Sequence, residues 1–185
     1  TPGASLVYTT DGSVPEPDNG VTVAPPNEAG FACVTVPVDT TTVLRAAAFR
    51  SGWGDSPAVA HSYIFLADVV RQPEQPSGLP STWDGISQAA VSADYAMDPE
   101  VVDDPAYAED LLRGLQAIPT LSISMPPDDL FGEEAGIYIH SEQRGDDWER
   151  AASIELLEPD GGGFHEHCGL RIHGYGWRSH SNTKK

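Results

Sequence analysis

Residues 5–13 are Ser-Leu-Val-Tyr-Thr-Thr-Asp-Gly-Ser, and this stretch indicates most directly how the first part of the chain folds. Ser5–Thr9 follows the alternating pattern of a β-strand. Asp11-Gly12 then supplies a pair of residues that tolerates the positive φ angle of a tight turn. The stretch therefore predicts a short strand that ends in a turn.

Three further strand-like runs follow within the first 65 residues, and turn-forming residues separate them. They are Phe31–Val38, Thr40–Phe49 and Ala58–Phe65. Short strands at this spacing are typical of an antiparallel sandwich. We therefore predict a small all-β sandwich over residues 1–65.

The remaining sequence mixes helix and strand signals. Residues 66–90 predict a linker, because the prolines between Gln72 and Pro80 lack a backbone donor and restrain the residues before them. Residues 91–185 predict an α+β domain. It contains one amphipathic helix and four strands, namely Ala106–Ala117, Thr120–Ser124, Gly136–His140, Ala151–Glu158 and Gly169–Gly174.

The charge of the chain narrows its possible partners. It has 28 acidic and 10 basic residues, a net charge of −18. Nucleic acids and anionic membrane surfaces both select clustered Lys and Arg, so we expect neither as a partner. No apolar run approaches 18 residues, so no membrane span is predicted. The acidity most simply provides solubility.

The charge balance reverses after Gly161. From there on, one acid opposes four basic residues, namely Glu166 against Arg171, Arg178, Lys184 and Lys185.

Neither the cysteines nor the chain ends identify a cellular compartment. Cys33 and Cys168 are too few for a disulfide scaffold, and pairing and two free thiols both stay open. The sequence has no initiator Met and no signal sequence. We expect both ends to be cuts from a longer protein.

A first resemblance covers about the first 64 residues. The matching residues resemble the chitobiase/β-hexosaminidase C-terminal-type module, which implies an immunoglobulin-like accessory sandwich of a secreted protein. The Pro-rich loop Val21–Glu28 departs from the family pattern by its length. The resemblance is carried by Thr1-Pro2-Gly3-Ala4, Tyr8-Thr9-Thr10-Asp11-Gly12-Ser13-Val14-Pro15, Thr41-Thr42-Val43-Leu44-Arg45-Ala46, Phe49 and Tyr63.

A second resemblance runs from about Asp94 to Lys185. It is similar to the N-terminal part of CotH (spore-coat-protein-H-like) kinase family proteins, which occur as large exported bacterial proteins. The ordered motifs are Asp94-Tyr95-x-Met97-Asp98-Pro99, Ile118-Pro119-Thr120-Leu121-Ser122-Ile123, Asp128-Asp129-Leu130-Phe131, Gly136-Ile137-Tyr138, Trp148-Glu149-Arg150 and Gly169-Leu170-Arg171-Ile172-His173-Gly174.

The second resemblance implies a kinase-like fold that transfers phosphate from ATP, with Mg²⁺, to Ser or Thr of a protein substrate. It also implies a secreted or cell-surface location in bacteria. The catalytic base and the Mg²⁺ ligands of the family come later in the domain, so no residue here is assigned to them. We therefore expect this chain to be an inactive fragment that needs no cofactor by itself.

Four residues are candidates for nucleotide binding through this resemblance: Lys184, Arg171, Arg178 and Gly174. A strand-borne lysine holds ATP phosphates in kinases, and guanidinium groups suit phosphate. Three of the candidates also have a plainer interpretation. Lys184 is then a solvated lysine, Arg171 a strand residue paired to an acid, and Gly174 a turn glycine.

His165, His167 and Cys168 are possible metal ligands, but we interpret them as ordinary strand residues. His165 and His167 would share one face of a strand, whereas Cys168 would point away. Ordinary strand histidines explain this spacing better, so no metal site is predicted. Glu149 is predicted to form half of a structural salt bridge.

An alternative function is non-catalytic. The chain would then belong to a surface or extracellular binding protein whose sandwich contacts glycans. Trp53 and Trp83 are the candidate stacking residues, although such tryptophans also fill domain junctions.

Overall fold

The computed structural model describes residues 1–83 and 91–174. The chain divides into two compact units, residues 1–65 and 66–185. The named strands of the described residues are all paired antiparallel, and the helices are few and short. The predicted β-rich character is therefore confirmed.

The first unit is built on one four-stranded sheet. Its strand order is β2-β1-β3-β4. The strands are β1 Ser5–Thr9, β2 Val21–Val23, β3 Thr42–Phe49 and β4 Val59–Tyr63.

Small apolar residues form the buried core of this unit. Val7 is only 1% exposed and lies opposite Thr22 on one side and Ala47 on the other. Ala4 and Ala60 are buried as well. Burial of this kind is the main force that stabilises such a sheet.

The motif residues of the first unit hold the turn after β1 in place. Arg45, on β3, donates from Nη1 to the Gly12 carbonyl oxygen at 3.1 Å. The Thr9 hydroxyl donates to the Ser13 carbonyl oxygen at 2.7 Å. Gly12 has a φ of 78°, as predicted for this turn. These sequence features therefore have a structural role in the described residues.

Two strand predictions in the first unit differ from the structure. Phe31–Val38 forms no strand, and Phe31 is 65% exposed. Branched residues favour strands only where a pleated face packs, and Pro37 removes a donor from this run. Conversely, Val21–Val23 was predicted as part of a loop but pairs with β1.

Within its described residues, 66–83 and 91–174, the second unit contains two small sheets and four short helices. A two-stranded ribbon is formed by β5 Thr82–Trp83 and β6 Val91–Ser92, and a three-stranded sheet has the order β7-β8-β9. The remaining elements are α1 Leu66–Val69, α2 Pro99–Val102, α3 Ala108–Ala117, β7 Thr120–Ser124, α4 Pro127–Phe131, a 3₁₀ helix Asp146–Trp148, β8 Arg150–Leu157 and β9 Gly163–Leu170.

Local sequence explains several of these boundaries. The Asp98 side chain accepts a hydrogen bond from the Glu100 backbone at 2.9 Å, and Pro99 occupies the first turn of α2. An acceptor before a proline is a common helix start. Strand β7 has the predicted bounds, and α3 begins two residues later than predicted.

Three predictions in this unit differ from the structure. Gly136–His140 forms turns, because Ile137 and Tyr138 donate backbone hydrogen bonds to Asp129 and Leu130, each at 2.9 Å. Their donors are therefore not available to a strand ladder. The segment Pro126–Gly132, for which the sequence predicts a turn, contains α4. The strand predicted at Gly169–Gly174 lies instead at Gly163–Leu170, so only Gly169 and Leu170 coincide.

The residues predicted as a linker, 66–90, fall within the second unit. The Tyr95 backbone donates to the Glu74 carbonyl oxygen at 3.2 Å, and the Tyr95 hydroxyl donates to the Pro80 carbonyl oxygen at 3.0 Å. Proline removes a donor but keeps its acceptor, so a Pro-rich segment can still be bonded by its neighbours. Residues 84–90 lie outside the described residues.

A helix that crosses a bilayer needs about 20 predominantly apolar residues. Within residues 1–83 and 91–174, no helix has both the length and the hydrophobicity needed to cross a membrane.

Candidate functional site

A pocket of about 320 Å³ lies at the end of β9 in the second unit. We call it the Arg171 pocket. Two predicted nucleotide-binding residues, Arg171 and Gly174, both line it. Arg144 and His173 also line it, so several nitrogen donors surround one opening. Gly174 has a φ of 141°, a backbone conformation that favours glycine.

The Arg171 guanidinium is held by two carboxylates. Its Nη1 lies 2.9 Å from Asp146 Oδ1, and its Nε lies 3.1 Å from Glu149 Oε2. The register pairs Arg150 with Leu170, which brings the residues just before β8 beside those just after β9. The predicted salt bridge of Glu149 is therefore present. An anion that enters the pocket meets a cation that is already paired.

One wall of the pocket is aromatic. The His140 and Trp148 rings have their centroids 5.0 Å apart. Arg150 lies over the Trp148 ring at 5.4 Å and donates to the Ala135 carbonyl oxygen from Nε at 3.0 Å and from Nη2 at 2.8 Å. A fixed arginine of this kind holds the indole in place. The sequence analysis identified Trp148-Glu149-Arg150 as a motif. It did not predict that His140 contacts Trp148.

The histidines considered as metal ligands lie on β9. The His165 and His167 rings are 5.1 Å apart, on the same face of the strand. His167 Nδ1 lies 3.2 Å from the hydroxyl of Ser153, its cross-strand partner. Among the described residues, no group of three His, Cys, Asp or Glu is placed to hold a metal ion. Cys33 and Cys168 are both free thiols.

The other predicted site residues fall in different places. Lys184 and Arg178 lie outside the described residues, and so does the side chain of Trp83. Trp53 lies in the first unit beside a second pocket, of about 400 Å³.

Comparison with known proteins adds no relative. No protein-family model, no curated protein and no solved structure matches this chain.

Proposed function

We propose that this chain is a fragment of an exported, CotH-like phosphotransferase, which in a longer form transfers phosphate from ATP to Ser or Thr of a protein substrate. The observation that carries the proposal is that Arg171 and Gly174 line one pocket together with Arg144 and His173. Phosphoryl transfer depends mainly on positioned cations and donors around the phosphates. The Arg171 pocket offers such groups in an otherwise acidic chain.

The ion pairs of Arg171 are compatible with this role because the two carboxylates differ in exposure. The Asp146 side chain is 97% exposed, whereas that of Glu149 is 41% exposed. A phosphate oxygen can replace Asp146 at Nη1 while Glu149 keeps hold of Nε. The guanidinium then stays oriented, which favours tight recognition of an oxyanion.

In this proposal, residues that lie outside the described part of the chain complete the nucleotide site. Lys184 and Arg178 provide further positive charge beside the phosphates. By the resemblance, the Mg²⁺ that accompanies ATP takes its ligands from acids later in the longer protein. This chain alone is then inactive and requires no cofactor.

The proposal is tested by measuring phosphate transfer from radiolabelled ATP. A longer form of the protein that continues past residue 185 should label itself or a Ser/Thr-containing protein substrate when ATP and Mg²⁺ are present. The 185-residue chain should transfer no phosphate under the same conditions. Absence of labelling by the longer form would overturn the proposal.

A second candidate function is favoured by the pairing of Arg171 itself. If Asp146 and Glu149 keep the guanidinium neutralised, the pocket is a structural feature and the kinase-like part serves only for binding to other molecules. ATP binding separates the two functions. The longer form should bind ATP as a phosphotransferase and should not bind it as a purely structural protein.

A further inference from the structure

The first unit carries a pocket of about 400 Å³ beside Trp53, and we call it the Trp53 pocket. Trp53 is 64% exposed, so its indole ring is accessible to a ligand. Polar residues line the same opening, among them Thr22, Ser51 and Asp55. The pocket therefore combines an aromatic surface with hydrogen-bonding groups.

The loop that carries Trp53 is fixed at both ends. The Trp53 backbone donates to the Arg50 carbonyl oxygen at 3.0 Å, and Gly52 supplies a φ of 79° within this turn. The Ala48 backbone donates to the Ser56 hydroxyl at 2.8 Å, while the Ser56 backbone donates to the Ala48 carbonyl oxygen at 3.1 Å. Because these hydrogen bonds already order the loop, little conformational entropy is lost when Trp53 binds a ligand.

Arg50 fixes the indole from one side. Its guanidinium carbon lies over the Trp53 ring at 5.4 Å from the centroid. The guanidinium is held in turn by the Pro2 carbonyl oxygen at 2.7 Å and by Glu28 Oε2 at 3.4 Å. Arg50 and Trp53 line the opening together, so a fixed cation positions the indole ring.

We propose that the Trp53 pocket binds one pyranose unit of a neutral saccharide. A pyranose with equatorial hydroxyl groups has an apolar C–H face, which stacks on an exposed indole, and a polar edge, which needs donors and acceptors. The Asp55 carboxylate accepts hydrogen bonds from the sugar hydroxyls, and Ser51 and Thr22 both donate and accept. This site is independent of the phosphotransferase proposal.

Charge selects a neutral sugar over an acidic one. Residues 1–65 contain six acidic and two basic side chains. Arg50 lines the pocket and is paired with Glu28, so its charge is partly balanced, while Asp55 adds a negative charge to the same opening. Like charges repel, and an anionic glycan is therefore disfavoured.

Isothermal titration calorimetry of the full 185-residue chain tests this proposal, with cellotetraose, chitotetraose and tetragalacturonate as probes. At least one of the two neutral oligosaccharides should bind, and tetragalacturonate should bind more weakly. Trp53→Ala should weaken binding by about tenfold, since aromatic anchors dominate such contacts. Asp55→Asn keeps the shape of the site and should also weaken binding.

Phe31→Ala is the matched control, because Phe31 is 65% exposed in the same unit but does not line the pocket. It should leave the affinity unchanged. Lack of binding by both neutral probes would overturn the proposal. So would equal losses in Trp53→Ala and Phe31→Ala, or tighter binding of tetragalacturonate than of the neutral probes.

Discussion

Arg171 Nε lies 3.1 Å from Glu149 Oε2, and this ion pair links the residue after β9 to the residue before β8. Gly169 makes room for it. A Cβ atom at position 169 would lie 2.1 Å from the Glu149 carboxylate. The glycine of the motif is therefore explained by the position of Glu149 as much as by any ligand.

The first prediction concerns the strength of this ion pair. A double-mutant cycle of Arg171→Ala and Glu149→Gln, measured by urea unfolding, should give a coupling of about 0.5 kcal/mol, because partly exposed pairs contribute little. The coupling should fall in high salt. The cycle with Asp146→Asn should give a smaller coupling, since Asp146 is almost fully exposed. Equal couplings would show that exposure does not separate the two carboxylates.

The second prediction contrasts two glycines. Gly163→Ala should destabilise the protein by about 2 kcal/mol, because φ is 138° and the new Cβ would lie 1.9 Å from the Leu156 carbonyl oxygen. Gly114→Ala, inside α3 and facing open space, should stabilise it by up to about 1 kcal/mol. Thermal unfolding measures both changes. A neutral Gly163→Ala variant would contradict the close approach of Gly163 to the Leu156 carbonyl oxygen at the start of β9.

Sequence reasoning succeeded where a strand or helix is decided by its own residues. The bounds of β1 and β7 follow from short runs that carry their pattern locally. It failed at Phe31–Val38 and Gly136–His140, because a strand also needs a partner for its backbone groups. In the second case those groups are bonded to residues of α4, and no local pattern reveals this.

In the candidate site, too, the sequence predicted individual residues but not the contacts between distant ones. The sequence motif singled out Arg171 and Gly174, and the structure places both at one pocket. The ion pair between Arg171 and an acid was an open alternative, because the partner depends on the β8–β9 register. The tilted contact between the His140 and Trp148 rings depends on the turns between α4 and β8. It could therefore not be predicted from the sequence.

The third prediction concerns the acid stability of the first unit. The pKa of Asp11 is lowered below 3.8, mainly because the Ser13 hydroxyl donates to its carboxylate at 2.6 Å and the Ser13 backbone donates at 3.0 Å. A lowered pKa in the folded state stabilises the protein above the ordinary value of 3.8. That contribution is lost as the pH falls through the lowered pKa.

An NMR titration of the Asp11 carboxyl group checks this prediction. Ser13→Ala should raise the pKa of Asp11 toward its ordinary value, because the larger of the two effects is removed. Ser51→Ala changes a serine elsewhere in the same unit and should leave the titration unaltered. An Asp11 pKa that does not move in Ser13→Ala would show that this hydroxyl is not the cause.

The most direct test of the phosphotransferase proposal is ATP binding by the longer form of the protein, compared between Lys184→Ala and Lys185→Ala. Of the two terminal lysines, the resemblance assigns the phosphate contact to Lys184, and a cation next to phosphate in a cleft contributes far more than an exposed one. Lys184→Ala should therefore weaken ATP binding at least about tenfold. Lys185→Ala should leave it nearly unchanged. Full ATP affinity in Lys184→Ala, or equal losses in both variants, would contradict this account.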